Sequence, residues 1–137
     1  MRSKILEVIL MSKQKFNIWG RTLELDIVYD YYSGESVLDS QKSAFKEFCN
    51  QEGVVFENAK KKVEEYCLKT NRSEIGTDYI ENIFKYVKPK AIYIKRSTSG
   101  ERIVAILCAY KFNPDDGIAI VFTNESFSAI GTQNIIL

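Results

Sequence analysis

Between residues 41 and 87 the apolar side chains recur every three or four positions, whereas after residue 91 they come in short, dense runs. The first spacing is that of a helix with one buried face and the second that of strands, so from residue 41 onward the chain must fold as helices followed by strands. In residues 41–51, Ala44, Phe45, Phe48 and Cys49 lie along one face, and Asp39 or Ser40 is placed to accept the unpaired amides of the first turn. Gly53 separates this helix from a second, in which Ala59, Val63, Tyr66, Cys67 and Thr70 share a face and Lys60, Lys61, Lys62, Glu64 and Glu65 fall outside it. Residues 71–76 break the pattern. Asp78 and Glu81 then frame a capping box for a short third helix carrying Ile80, Ile83, Phe84 and Val87, which Pro89 ends.

On either side of the helices the signals are those of strands. Phe16, Ile18, Leu23, Leu25, Ile27 and Tyr29 alternate with other residues across 15–32, with a turn at Gly20 and Arg21, which predicts a hairpin. The first ten residues have a basic start, but Glu7 interrupts the apolar stretch and no small-residue cleavage site follows, so the segment reads as a strand rather than a leader. Residues 91–96, 102–112, 118–123 and 127–130 are rich in Ile, Val and aromatics. Between them, segments 97–100 and 113–117 are turns, because Pro114 fixes φ and Gly100 and Gly117 can take positive φ. Residues 103–110 are apolar on both alternating faces, as in a central strand covered on both sides. The expected fold class is α+β: an antiparallel sheet, made of an N-terminal hairpin and a C-terminal four-strand meander, packed against two to three helices. The separation of helices from strands argues against a doubly wound parallel sheet. Residues 1–137 carry no linker, low-complexity tract or repeat, so one domain is expected.

The chain contains no histidine. That excludes Ser-His-Asp and Cys-His arrangements built within it, and the usual zinc sites other than those made of cysteine alone. Cys49, Cys67 and Cys108 are too few and too scattered for such a site, and their apolar surroundings mark them as buried, inert thiols. An odd number of cysteines without a CxxC pair fits a reducing compartment, so a cytoplasmic location is expected. No glycine-rich phosphate-binding loop is present, and no cofactor or metal is expected. Nineteen basic residues against 18 acidic ones leave a net charge of +1, which gives no overall field toward nucleic acid or membranes. Glu57, Glu64 and Glu65, interleaved with Lys60, Lys61, Lys62, Lys69 and Arg72, make the basic helix a solvated, ion-paired face. Asp115 and Asp116 form a carboxylate pair, but their Asn-Pro-Asp-Asp-Gly setting is good turn chemistry without any substrate.

The stretch 103–134 contains a strand, an acidic loop, Gly117-Ile-Ala-Ile, an Asn124 hairpin and the ending Ile130-Gly-Thr-Gln-Asn. With Trp19-Gly20 and the helix start at residues 41–48, it resembles an uncharacterised family of small bacterial α+β proteins, some of them like immunity proteins. The family loop commonly carries a histidine where this chain has Asp115 and Asp116, so a catalytic loop is not implied and a shared fold is. The resemblance implies a partner protein, most concretely a secreted or contact-dependent toxin domain.

These readings lead to a protein-binding module and not an enzyme: an immunity protein that neutralises a toxin by occluding its active surface. The acidic Asp115, Asp116 and Glu125, with the aromatic Tyr31 and Tyr32, are the candidate partner-binding residues. Two alternatives stay open. One is a small enzyme using carboxylates or tyrosines, and the other a self-associating protein that pairs through a sheet edge near Ile135, Ile136 and Leu137 as a homodimer.

Overall fold

The computed structural model describes residues 4–5, 12–32 and 34–137. Strand β1 (Lys4–Ile5) pairs antiparallel with β4 (Tyr31–Tyr32) as a small ribbon, and the remainder of the first-ten-residue strand reading lies outside the described residues. The main sheet has six strands: β2 (Ser12–Ile18), β3 (Arg21–Tyr29), β5 (Val87–Ile94), β6 (Ile103–Tyr110), β7 (Ile118–Thr123) and β8 (Ser126–Gly131), in spatial order β2-β3-β5-β6-β7-β8. The hairpin and the four-strand meander are both present. They are joined in a way the sequence reading missed: β3 and β5 run parallel, with Asp26 opposite Ala91 and Tyr29 opposite Ile94. Parallel neighbours require a long crossover, and here it carries both helices.

Those helices are α1 (Asp39–Asn50) and α2 (Glu52–Ile75). The break between them falls at Gln51 rather than at Gly53, which lies in the first turn of α2. Val55, Phe56, Ala59, Val63 and Cys67 make the buried stripe of α2, and Ala44 and Phe48 that of α1. Both stripes pack on one sheet face against Phe16, Ile18, Leu25, Ile27, Ile92, Ile106 and Ile120. Phe56 meets Phe16 and Phe48 edge-on, each at 5.7 Å between centroids, an arrangement that adds to simple area burial. On the opposite face Tyr93, Ala105, Ala119 and Val121 are also buried, and the C-terminal turn brings Ile136 against them. Strand β6 is thus covered on both sides over much of its length, as its doubly apolar sequence requires.

Three local expectations are corrected. Neither Asp39 nor Ser40 caps α1: the N-cap is Leu38, whose amide donates to the Gln41 side chain at 2.9 Å. Gln41 Nε2 also donates to the carbonyls of Asp30 (2.6 Å) and Ile94 (3.2 Å), so one buried amide ties the helix start to the ends of the parallel strands. The third helix is a single 3-10 turn, Ile83–Lys85, and Val87 already belongs to β5. Pro89 does not end a helix but sits in β5 beside a register irregularity, a place where strands tolerate proline. The outer strands carry the usual protections against edge pairing. Lys13 and Lys15 stand exposed on β2, and β8 has an irregular register opposite Val121 and Phe122.

Candidate interaction surface

The five residues singled out in the sequence do not form one surface. Because β5 runs parallel to β3 and antiparallel to β6, the ends of β3, β5 and β7 share one side of the sheet and the β6–β7 turn occupies the other. The length of β5 puts the two sides roughly 23 Å apart. Tyr31, Tyr32 and Glu125 fall on the first side, and Asp115 and Asp116 on the second.

On the first side the candidates are already engaged. Tyr31 is buried, and Tyr32 is half-buried with the Arg96 guanidinium 6.0 Å from its ring centre. Glu125 takes two hydrogen bonds of 2.8 Å from Arg102, a bidentate pair that leaves its carboxylate largely covered. Glu125 and Asn124 both have positive φ, and this two-residue β7–β8 turn is held by Arg102, whose amide donates to Asn124 Oδ1 and whose carbonyl accepts from the Asn124 amide. Arg96 is similarly committed, to Glu35 at 2.6 Å and to the Ser36 carbonyl at 3.0 Å. Beneath them, burial first and the neighbouring Asp30 carboxylate second push the Tyr93 phenol up, so it stays neutral. This side of the sheet is a packed polar seam.

The other side is open. Asp115 and Asp116 are exposed, and neither carboxylate joins an ion pair or hydrogen bond among the described residues. The turn that carries them is held by Asn113 on one side and Gln133 on the other. The Gly117 amide donates to the Asn113 carbonyl (2.9 Å), and the Asp116 amide to Asn113 Oδ1 (3.2 Å). From the C-terminal turn, the Gln133 amide donates to the Asp116 carbonyl (3.0 Å) and its side chain to the Cys108 carbonyl (3.2 Å). Gly117, at φ +57°, lies so close to β6 that a Cβ there would be 2.4 Å from the Cys108 carbonyl oxygen. The result is a rigid turn with two carboxylates at its tip.

Beside this turn the surface is cationic and aromatic, a feature the sequence reading did not find because Arg21 and Lys111 join the 85–90 segment only in the folded sheet. A groove of about 320 Å³ is lined by Lys85, Lys88, Lys111, Tyr86, Tyr110 and Pro114. Through Lys88 it continues into a second groove, of about 210 Å³, with Arg21, Lys90 and Glu24 on its walls. Tyr86 and Phe112 stack at 5.6 Å with 25° between planes, and the Lys111 ammonium lies within 6 Å of both ring centres. Arg21 lies 4.2 Å above the ring centre of Phe84. Such contacts hold cations over ring faces while keeping their charge toward water. None of Arg21, Lys85, Lys88, Lys90 and Lys111 joins an ion pair among the described residues.

The cysteines offer no reactive thiol. Cys67 and Cys108 are fully buried and burial pushes both thiols up. Cys49 is only half-buried, against expectation, yet its thiol is raised too, by burial above all. On the helix face read as ion-paired, one pair forms among the described residues, Lys62 with Glu65 at 3.9 Å, while Arg72 reaches past the helix end to Asp78 at 2.7 Å. Among the described residues no group of three acidic or cysteine side chains could hold a metal ion, and no helix is long and apolar enough to cross a membrane.

A family described as "Domain of unknown function (DUF6985)" matches residues 6–137, and the chain belongs to that family. No curated protein and no solved structure matches it.

Proposed function

We propose that this member of a family without assigned function is a protein-binding module, meeting its partner through the end of the sheet that carries the β6–β7 turn. The observation that supports this most is the pairing of a rigid backbone with unengaged side chains at Asp115 and Asp116. A turn already ordered loses little freedom on binding, so exposed charges mounted on it act at low entropic cost. Charged groups in such a place set orientation and association rate. The more specific role is that of an immunity protein which blocks a toxin domain by occlusion. It rests on the likeness of the 103–134 stretch and requires no chemistry from this chain.

The test is co-expression with the product of the adjacent upstream reading frame, scoring growth rescue and co-purification. A stable complex that forms with the parent chain and is weakened at least about tenfold by Asp115→Lys with Asp116→Lys, at unchanged melting temperature, supports the reading. Unchanged binding by that double variant removes the turn from the interface. Absence of both toxicity and complex removes the immunity role.

A further inference from the structure

The five cations beside the acidic turn are an imbalance in a chain whose net charge is only +1. Arg21 begins β3, Lys85 lies in the 3-10 turn, Lys88 and Lys90 are on β5, and Lys111 follows β6. The fold gathers them at one end of the sheet, and among the described residues the carboxylates on the walls are Glu24 and, in the adjoining hollow, Glu81. Five like charges brought together repel one another, and because none of them is ion-paired among the described residues, a surface like this favours an anionic ligand.

We infer that the groove between Lys85, Lys88 and Lys111 receives an acidic segment of the protein partner, with an apolar or aromatic side chain resting on Tyr86. The inference rests on the protein-binding reading and names the chemistry that the partner must present. The rim of the groove favours a peptide over a nucleic acid. Pro114 lines it and is followed directly by Asp115 and Asp116, whose carboxylates repel any continuous run of phosphates passing that edge. A protein surface can answer both signs at once, placing carboxylates over the lysines and a basic group over the turn. Tyr86 adds a binding element that charge alone does not: a half-buried ring on the groove wall, held in place by its stack on Phe112.

The experiment titrates the full chain into a fluorescein-labelled peptide of repeating Glu, Asp and Phe residues and follows anisotropy at low and at physiological salt. Saturable binding is expected, weakening as salt rises. Lys88→Glu with Lys111→Glu should weaken it at least about tenfold, and Lys88→Gln with Lys111→Gln less but in the same direction. Lys42→Glu, on the exposed side of α1, should leave it within about twofold, as expected for a charge beyond the screening length. Circular dichroism of each variant should match the parent, because the substituted side chains are exposed. No binding at low salt, equal loss in Lys42→Glu, or tighter binding of oligothymidylate than of the peptide would each overturn the inference. The natural complex separates this failure from that of the broader reading. If Lys88→Glu with Lys111→Glu leaves the complex intact while Asp115→Lys with Asp116→Lys abolishes it, the groove assignment is wrong and the turn remains the interface.

Discussion

Gly117→Ala should be among the most damaging single-methyl additions in the described part of this chain, and its cost can be worked from two distances. A Cβ at this position would stand 2.4 Å from the Cys108 carbonyl oxygen and 2.7 Å from Gln133 Nε2. The ordinary approach of a carbon to a carbonyl oxygen is about 3.3 Å, so the turn must move away from β6 by roughly 1 Å. Cys108 is fully buried on a central strand and cannot yield. The movement therefore falls on the bonds from Gln133 to the Cys108 and Asp116 carbonyls, at about 1 kcal/mol each. Positive φ adds about 1 kcal/mol for a residue with a Cβ. The sum is about 3 kcal/mol, or roughly 12 °C in melting temperature for a domain of this size. Gly100→Ala is the internal control. It has φ +86° but nothing within 4 Å of its Cβ position, so it should lose only the conformational part, about 1 kcal/mol and roughly 4 °C. Thermal unfolding followed by circular dichroism distinguishes the two. A Gly117→Ala shift no larger than that of Gly100→Ala would refute the close approach to β6.

Two further outcomes follow from buried groups. Gln41→Leu should lower stability by about 3 kcal/mol in urea titrations, since three hydrogen bonds to backbone atoms are lost at a fully buried site; a loss under about 1 kcal/mol would show that the amide does not tie α1 to β3 and β5. Stability should be level from about pH 6 to 8, because no histidine titrates there, and should fall above pH 9. The sign follows from Cys67 and Cys108. Burial raises both thiols above the ordinary 9.0, so above that pH the unfolded chain has released protons that the folded chain still holds, and folding weakens by up to about 1.4 kcal/mol per pH unit for each group. Cys108→Ala should flatten this slope, and an unchanged slope would mean that the thiol is not responsible.

Elements whose information is local were legible from sequence. Strand β7 coincides with the 118–123 run, and the Trp19-Gly20 turn lies within one residue of the expected break, because alternation and turn chemistry act over a few neighbouring residues. The third helix was not legible. Ile80, Ile83, Phe84 and Val87 have helical spacing, but the same spacing is met by a 3-10 turn running into a strand, and tertiary packing decided between them: Phe84 lies against Trp19 at 5.7 Å and Val87 pairs with Tyr110. The parallel β3–β5 pairing was missed for a related reason. Two amphipathic helices between strands are equally a cover for a meander and a crossover, and the contacts that mark the second, the β3–β5 ladder and the Gln41 bonds to Asp30 and Ile94, join residues more than ten positions apart. The cationic groove was invisible because Arg21, Lys88 and Lys111 are separated by tens of residues and adjoin only once the sheet order is known.

The β6–β7 turn separates two demands that sequence alone merges. Its anchoring runs through the Asp116 carbonyl and amide, the Asn113 side chain, Gly117 and Gln133, and through no atom of the Asp115 or Asp116 side chains. Gly117 and Gln133, which stood out in the resemblance as motif residues, are therefore accounted for by folding: one allows the close approach to β6 and the other fastens the C-terminal turn to it. Residues 115 and 116 are under no such constraint. A reversal of charge there should alter what the turn meets and leave the fold as it is, whereas a methyl group at Gly117 should do the opposite. Binding and stability measured on these two kinds of variant should therefore move independently, and if they moved together the division of the turn into anchor and tip would be wrong.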